Sequence, residues 1–292
     1  MSVRSIYDVA APAKLNLFLH VVGRRADGYH LLQSLFVLID WCDTLHFERR
    51  EDGALARQDL TEALPADDLC LRAARALQRT SGTRLGADIS IAKHVPWGAG
   101  MGGGSSDAAS TLLALNRLWG LGWQRTRLLA LAAKLGADVP FFVGGRNAIV
   151  EGIGERLTPV PVPQQWLAVI KPAASLETRA IFASALLETR SEADILEGFS
   201  ASDRQAALAP GFGTNDLQAA AESECAQVKQ ADDVLQERFG NSRMTGSGSA
   251  VFARAGSGSE PSGKLPGDLA AGWVGRMCRS LDQHPLVAWA AD

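Results

Sequence analysis

Residues 96–106 read Pro96-Trp97-Gly98-Ala99-Gly100-Met101-Gly102-Gly103-Gly104-Ser105-Ser106, and no other stretch of the 292-residue chain constrains the structure as strongly. Five glycines in seven residues allow the backbone to adopt positive φ and to approach a ligand closely. A strand-like segment, Asp88–Ala92, precedes the loop, and a helical pattern follows from about Ser105 to Leu118. Unpaired N–H groups and the positive end of a helix dipole therefore converge at the loop, an arrangement that binds phosphate.

The glycine-rich loop has to be compared with the known nucleotide-binding motifs. It lacks G-x-x-x-x-G-K-[ST] and is therefore not a Walker A loop. Gly98, Gly100 and Gly103 satisfy the G-x-G-x-x-G pattern, but a dinucleotide-binding fold also needs a second strand, about 20 residues later, that ends in an acid. No acid occurs from Leu118 to Gly136. This interval argues against a dinucleotide site, and the flanking strand and helix patterns argue against a flexible linker.

The composition narrows the class of protein. A hydrophobic content of 47% with 21% charged residues is typical of a globular protein, and a net charge of −3 argues against nucleic acid or an anionic membrane as the main partner. Met1–Ala13 lacks the apolar core of a signal peptide, and the longest apolar runs, Leu35–Ile39 and Leu128–Ala133, are too short to span a membrane. We expect a cytoplasmic protein whose free thiols are Cys42, Cys70, Cys225 and Cys278.

Hydrophobic periodicity predicts mixed strands and helices in the first half of the chain. The predicted strands, besides Asp88–Ala92, are Ala13–Val22, Leu35–Leu38, Thr44–Arg49 and Ala148–Val150, and the other predicted helices are Asp67–Gln78 and Gln124–Lys134. A Pro-rich stretch, Pro159–Pro163, interrupts both helices and central strands. We place a domain boundary there, between residues 1–160 and residues 161–292.

The second half contains another glycine-rich loop. Gly246–Ser249 leads into a predicted strand at Ala250–Ala253, and Ala255–Gly267 is rich in Gly, Ser and Pro, which predicts an exposed loop. The other predicted elements of this half are a strand at Trp166–Ile170 and helices at Thr178–Leu187 and Asn215–Phe239.

Three separated segments carry a resemblance to a known family. Pro12–Leu17 (PAKLNL), Pro96–Ser106 and Thr245–Ser249 (TGSGS) occur in the order of the three motifs of the GHMP kinases, and the chain is identified as a member on this resemblance. The resemblance implies an α+β fold of two lobes. Residues 1–160 would form the N-terminal ATP-binding lobe and residues 161–292 a C-terminal ferredoxin-like lobe, with the active site in the cleft between them.

Further segments resemble one group within that family. Arg24–His30 (RRADGYH), Gly136–Phe142 (GADVPFF) and Asn215–Leu217 are similar to segments of the members that phosphorylate the 2-hydroxyl of cytidine diphosphate-linked methylerythritol, on the non-mevalonate route to isoprenoid precursors. The alternatives are a GHMP kinase acting on mevalonate, homoserine or a sugar, and a non-catalytic nucleotide-binding protein. The second alternative could lack Lys14 or Asp138, and both are present.

The resemblance implies that Lys14 and Asp138 are the catalytic residues. The Asp138 carboxylate would take the proton of the acceptor hydroxyl, and the Lys14 cation would stabilise developing negative charge. The same cation weakens the carboxylate as a base, so Asp138 either deprotonates the acceptor or only orients it, and both roles stay open. Asn16 lies two positions after Lys14 on the same face of the predicted strand and would hydrogen-bond the acceptor's hydroxyls.

The resemblance also implies the binding residues. Tyr29 would stack on the cytosine, His30 would hydrogen-bond its polar edge and Phe182 would cover its other face. Gly246 and Ser247 would bring backbone N–H groups to the substrate's phosphates. ATP would be bound by Pro96, Trp97, Gly98, Ala99, Gly100, Met101, Gly102, Gly103, Gly104, Ser105 and Ser106. We expect Mg²⁺ to accompany ATP without assigning it a protein ligand, and we expect a monomer or homodimer.

Overall fold

The computed structural model describes residues 3–187 and 211–292, which form two β-sheets with helices packed on them. This architecture confirms the α+β fold and its two lobes. The first lobe contains β1 (Ser5–Arg24), β2 (His30–Arg50), β3 (Leu55–Asp59), α1 (Leu69–Ser81), β4 (Gly86–Ala92), α2 (Gly103–Leu118), α3 (Arg125–Ala132), α4 (Val139–Gly144), β5 (Ala148–Gly152) and β6 (Arg156–Pro159).

A long antiparallel hairpin organises the first sheet. β1 pairs with β2 along its whole length, and β2 pairs at one end with β4 and at the other with β5. The predicted strands Leu35–Leu38 and Thr44–Arg49 are therefore parts of one strand. The sequence between them contains Asp43, whose side chain breaks the hydrophobic pattern but is fully buried, because its carboxylate accepts the N–H groups of His94 and Val95.

The second lobe begins with β7 (Trp166–Lys171) and contains α5 (Thr178–Phe182), α6 (Gln218–Glu224), α7 (Ala226–Phe239), β8 (Arg243–Met244), β9 (Val251–Arg254) and β10 (Val274–Arg279). Its sheet has the order β10-β7-β9-β8, with every neighbouring pair antiparallel. β7 and β8 thus flank β9, as in the split βαβ unit of ferredoxin-like folds. The connection from β9 to β10 contains the predicted loop Ala255–Gly267, and neither helix nor strand forms in it.

The two sheets pack face to face, with helices on both outer sides. Alternate residues of β2 point in opposite directions, so that Leu35 and Val37 contact the second sheet while Phe36 and Leu38 contact the helices of the first lobe. In β7, Val169 faces the first sheet and Ala168 faces α6 and α7. Helix α2 is buried from Ser106 to Asn116 because sheet and helices surround it.

One predicted helix is wrong and another is shorter than predicted. Asn215–Phe239 is not one helix, since Cys225 has extended backbone angles (φ −147°, ψ 103°) that end α6 and start α7. The apolar spacing continues through the break, with Leu217 and Ala221 buried before it and Val228 buried after it, which is why periodicity predicted a single helix. The helix predicted at 178–187 ends at Phe182.

The segment that follows β10 returns to the first lobe. Leu281 N–H donates to the Leu38 carbonyl at 2.8 Å, and Arg125 holds the C-terminal residues through the carbonyls of Val287 and Ala290. The predicted boundary at residue 160 falls between β6 and β7, and the division into two domains stays a prediction. None of the helices in residues 3–187 and 211–292 combines the length and the apolar surface that a membrane crossing needs.

Candidate active site

The glycine-rich loop lines a cavity of about 290 Å³ at the start of α2. Residues 96–105 all line this cavity, whereas Ser106 is fully buried behind it. Gly98, Gly100 and Gly102 have φ values of 61°, 72° and 71°, in the left-handed region that side chains disfavour. The helix begins at Gly103, two residues earlier than predicted, and has no side-chain cap, so its first N–H groups remain available to an anion.

The second glycine loop packs directly on the first. A Cβ atom on Gly100 would lie 2.4 Å from the Thr245 carbonyl oxygen, and one on Gly246 would lie 2.7 Å from the Gly100 carbonyl oxygen. The Ala250 N–H also donates to the Ala99 carbonyl at 3.2 Å. Only glycine permits so close an approach, and it brings the two loops together although more than 100 residues separate them in the sequence.

Lys14 lies on β1 beside the first loop. Its backbone N–H donates to the Met101 carbonyl at 2.9 Å, and its ammonium donates to Asn16 Oδ1 at 2.6 Å and lies 3.7 Å from Asp138 Oδ2. The ammonium also lies over the Phe36 ring, 4.4 Å from its centre. Lys14 is only 3% exposed, and this burial lowers its pKa while the Asp138 charge opposes the change.

Asn16 connects the first of the three motif segments to the third. Its Nδ2 donates to Ser34 Oγ at 2.9 Å, and its backbone N–H donates to Thr245 Oγ1 at 2.8 Å. The Thr245 hydroxyl in turn donates to Asn16 Oδ1 at 3.2 Å, so this oxygen accepts from both Thr245 and Lys14. An amide carries two N–H donors, and among the described residues only Ser34 accepts from this one. One donor of Asn16 is therefore left for a ligand.

Asp138 precedes α4 and faces Lys14. It occupies the position where a carboxylate commonly caps a helix, but its side chain makes no capping hydrogen bond, and Pro140 forms the first turn. The carboxylate is 32% exposed. Because the helix does not use it, the carboxylate is free to interact with a ligand and with the Lys14 ammonium.

A second cavity, of about 190 Å³, lies on the other side of the glycine loop. Gly100 and Gly102 line both cavities, so the loop forms the wall between them. The second cavity is lined by Lys14, Asn16, Leu19, Leu32, Ser34, Phe36, Gly100, Gly102, Asp138, Val150, Thr178, Phe182, Leu217, Gly246 and Ser247. The structure thus brings together the two predicted catalytic residues and four of the six predicted substrate residues.

The two remaining predicted substrate residues, His30 and Tyr29, do not line this cavity, but His30 contacts Phe182 in its lining. His30 begins β2, and its ring stacks on the Phe182 ring with centres 5.2 Å apart and planes 26° apart. Burial, with Arg24 nearby, lowers the pKa of His30, which favours the neutral ring. Tyr29 is 62% exposed and lies in the turn before β2, where its backbone N–H donates to Asp27 Oδ1 at 3.3 Å. Its side chain does not line the second cavity.

Sequence reasoning missed several side chains of the site. Thr178 starts α5 and shares a hydrogen bond of 2.8 Å with Ser247, and both residues line the second cavity. Thr245 stood inside a recognised motif, and Ser34 ended the recognised segment that begins with RRADGYH, but neither was assigned a role. Thr178 carried no signal in the sequence. Lys93 lines the first cavity from below the loop. In the described residues, no three His, Cys, Asp or Glu side chains come together as a metal site.

Known proteins resemble this chain along nearly its whole length. Residues 68–146 match the family described as "GHMP kinases N terminal domain". A protein of Methylibium petroleiphilum named 4-diphosphocytidyl-2-C-methyl-D-erythritol kinase is 64% identical, over 99% of this chain and 100% of its own length. The chain belongs to the GHMP kinase family. A protein of the same name from Paracidovorax citrulli is 54% identical, with 99% of both chains covered.

Solved structures agree with this membership. The crystal structure of a 4-(cytidine 5'-diphospho)-2C-methyl-D-erythritol kinase superposes with a TM-score of 0.72 at 36% identity, covering 84% of this chain and 89% of that one. A homoserine kinase from Cytophaga hutchinsonii superposes with a TM-score of 0.71 at 16% identity, covering 96% of both chains, which shows the fold alone. As a GHMP kinase, the chain is an ATP-dependent small-molecule kinase, and ATP is its co-substrate.

Proposed function

We propose that this GHMP kinase transfers the γ-phosphoryl group of ATP to the 2-hydroxyl of 4-diphosphocytidyl-2-C-methyl-D-erythritol, giving the 2-phosphate and ADP. The observation that carries the proposal is the glycine loop that separates two cavities, with Lys14 and Asp138 on one side and the uncapped start of α2 on the other. The name of the 64% identical relative supports the identity of the acceptor.

ATP binds in the first cavity under this proposal. The N–H groups at the start of α2 receive its phosphates, because they lack a side-chain cap and lie at the positive end of the helix dipole. The γ-phosphoryl group then lies at the wall formed by Gly100 and Gly102, which both cavities share. Since phosphoryl transfer passes through a loose transition state, fixed donors and correct positioning contribute more than covalent chemistry does.

The acceptor binds in the second cavity, with its 2-hydroxyl between Lys14 and Asp138. The hydroxyl oxygen attacks the γ-phosphorus, the bond to the β-phosphate oxygen breaks, and the hydroxyl proton passes to the Asp138 carboxylate. The Lys14 ammonium stabilises the negative charge on the transferred group, and Asn16 holds the ammonium in place through its Oδ1. The free N–H donor of Asn16 binds another oxygen of the acceptor.

The cytidine end of the acceptor extends towards His30 and Phe182. Their rings stack on each other in the structure, so the cytosine replaces this contact with its own stacking on Phe182. A neutral His30 ring both donates and accepts, which suits the polar edge of cytosine. Tyr29 covers the other face of the base from its exposed position in the turn.

Mg²⁺ accompanies ATP and neutralises charge on its phosphates when bound. The residues present fit a metal that is held mostly by phosphates and water, as is usual for Mg²⁺. Ser105 lines the first cavity, and Ser106 Oγ is buried without a hydrogen-bond partner among the described residues, so either hydroxyl could complete the coordination. We place the activity in the cytoplasm, where the free thiols expected from the sequence persist.

The proposal is tested by measuring ADP release with a panel of acceptors. The panel contains 4-diphosphocytidyl-2-C-methyl-D-erythritol, mevalonate, homoserine and galactose, each with ATP and Mg²⁺, and the phosphorylated carbon is identified by ³¹P NMR. We expect kcat/KM for the cytidine-bearing acceptor to exceed that of the others by at least about a thousandfold, because the other acceptors lack the base that His30 and Phe182 bind. Comparable activity with mevalonate or homoserine would overturn the assignment.

A further inference from the structure

One lysine and two aspartates form a buried cluster beneath the glycine loop. Lys93 follows β4, and its ammonium donates to Asp107 Oδ2 at 2.6 Å and to Asp43 Oδ2. The other oxygen of Asp43 accepts the N–H of His94 at 2.6 Å and that of Val95 at 2.8 Å. All three ionisable side chains are at most 3% exposed. None of them has a role in the reaction described above.

The cluster joins the two ends of the loop. Lys93 stands before the glycine-rich stretch and Asp107 stands after it, so their contact closes a segment of 14 residues. Asp43 holds the same end from β2 through two backbone N–H groups. The Lys93 nitrogen also lies 3.4 Å from where a Cβ would stand on Gly103, the first residue of α2. A glycine-rich segment has much conformational entropy to lose, and tying its ends removes part of that entropy before a ligand binds.

The polar contacts of the Asp107 side chain lie within the cluster, with Lys93 and with Asp43. Asp107 lies inside α2, and its Oδ1 has no hydrogen-bond partner among the described residues. Burial raises the pKa of Asp107 to about 8, against the pull of Lys93 and with a further contribution from Asp43. A buried carboxylate is costly unless it is paired, and an apolar residue would pack in α2 without that cost. The contact with Lys93 is therefore its distinguishing feature.

We propose that Asp107 and Asp43 are positioning residues for ATP, which hold the Lys93 ammonium between them and so preorganise the loop 96–105 around the nucleotide's phosphates. This inference rests on the proposed function, in which the loop receives ATP. The three side chains do not line the second cavity. Loss of the cluster therefore weakens ATP binding and leaves acceptor binding unchanged, because preorganisation of the loop lowers the cost of binding ATP alone.

The test is the pair of variants Asp107→Ala and Asp107→Asn. Asp107→Ala leaves Lys93 paired with Asp43, so the buried charges stay balanced, while the tie to α2 is lost. We expect KM for ATP to rise about tenfold, the effect of one charge-assisted hydrogen bond, and KM for the acceptor to stay within about twofold. Asp107→Asn keeps an oxygen for Lys93 and should restore most of the ATP affinity. Equal KM values for ATP in wild type and Asp107→Ala, an equal rise in both KM values, or no rescue by Asn would each overturn the inference.

A control is Asp88→Ala, on β4, the strand that Lys93 follows. Asp88 is one of two carboxylates that share Arg50, and it lies away from both cavities. Its loss should leave KM for ATP unchanged. If thermal unfolding shows that Asp107→Ala is not folded, Asp107→Leu, which fills more of the space and leaves Lys93 paired with Asp43, is measured by the same criteria.

The inference can fail separately from the proposed function. If the wild type releases no ADP with the proposed acceptor, the proposed function fails at that step. The affinity of the same variants for a non-hydrolysable ATP analogue, measured by calorimetry without acceptor, then tests the inference alone. A tenfold weaker affinity in Asp107→Ala, about 1.4 kcal/mol, supports it, and an unchanged affinity overturns it.

Discussion

Replacing Asp138 by asparagine tests the centre of the site. The change keeps the shape of the side chain and removes its charge, 3.7 Å from the Lys14 ammonium. At an effective dielectric constant of about 20, unit charges at that distance attract by about 4.5 kcal/mol. Solvent reaches 32% of the carboxylate and screens part of this attraction, so we take about 2 kcal/mol as its value.

The expected consequence is a large fall in kcat. We propose that Asp138 accepts the acceptor's proton, and loss of such a group costs about 10²- to 10⁴-fold. Loss of the Lys14 contact adds disorder of the ammonium. KM for ATP should stay within about threefold, because Asp138 does not line the first cavity, in which we propose that ATP binds. The Asp138 charge raises the pKa of Lys14 against the effect of burial, so its removal lowers that pKa further. As the pH rises, Lys14 should therefore lose its proton earlier in the variant, and the residual activity should decline at a lower pH than that of the wild type.

The assay is coupled ADP release over a range of ATP, acceptor and pH. Asp233→Asn serves as the control, because it makes the same change in another lysine–aspartate pair, with Lys229, outside both cavities. The reasoning is refuted if Asp138→Asn turns over within about threefold of the wild type, or if its KM for ATP rises as much as its kcat falls.

Three further predictions concern binding, packing and pH. His30→Ala should raise KM for the acceptor about tenfold and change KM for ATP little, since the ring contacts Phe182 at the acceptor side. The same KM for the acceptor in the variant and the wild type would contradict the cytosine contact. Thr245→Val should lower the free energy of unfolding, measured in urea, by about 2–3 kcal/mol, because it removes two hydrogen bonds and leaves the buried Asn16 N–H without a partner. The control Thr111→Val is equally buried but loses only one contact with a thiol, so it should cost less than about 1 kcal/mol. Similar losses in the two variants would show that the Thr245 hydrogen bonds add nothing to stability. Burial, with Arg125 nearby, lowers the pKa of His284 to about 3, so below about pH 6.5 the unfolded chain binds a proton that the folded chain does not bind. The free energy of unfolding of the wild type should therefore fall by up to about 1.4 kcal/mol per pH unit from pH 6.5 to pH 3, relative to His284→Asn. Parallel pH curves for the two proteins would exclude this cause.

The arrangement of Lys14 and Asn16 depends on contact between distant parts of the chain. Thr245 belongs to the second lobe, and its hydroxyl bonds to both the backbone and the side chain of Asn16 on β1. Asn16 in turn holds the Lys14 ammonium. The relative placement of the two lobes therefore sets the position of the cation, because the hydrogen bonds that fix it cross from one lobe to the other.

Local sequence determined the elements whose signals are short-range. Residues that favour strands predicted the second half of β1, and alternating apolar residues predicted β4. Helical spacing predicted α1, α2 and α3 to within a few residues. The glycine loop could be read as a phosphate site because positive φ and an open helix start are properties of adjacent residues. The roles of Lys14, Asn16 and Asp138 came from resemblance, and their assignment as catalytic and binding residues stays a prediction.

Tertiary structure alone decided the features that depend on contacts between remote residues. The break at Cys225 leaves the apolar spacing intact, so no local pattern marks it. The continuity of β2 depends on pairing with β4 and β5, which lie far away in sequence. Lys93 and Asp43 are 50 residues apart and read separately as an ordinary lysine and aspartate. They become a buried pair only when β2 and β4 lie side by side, because burial and charge pairing belong to the packed chain and not to any segment of it.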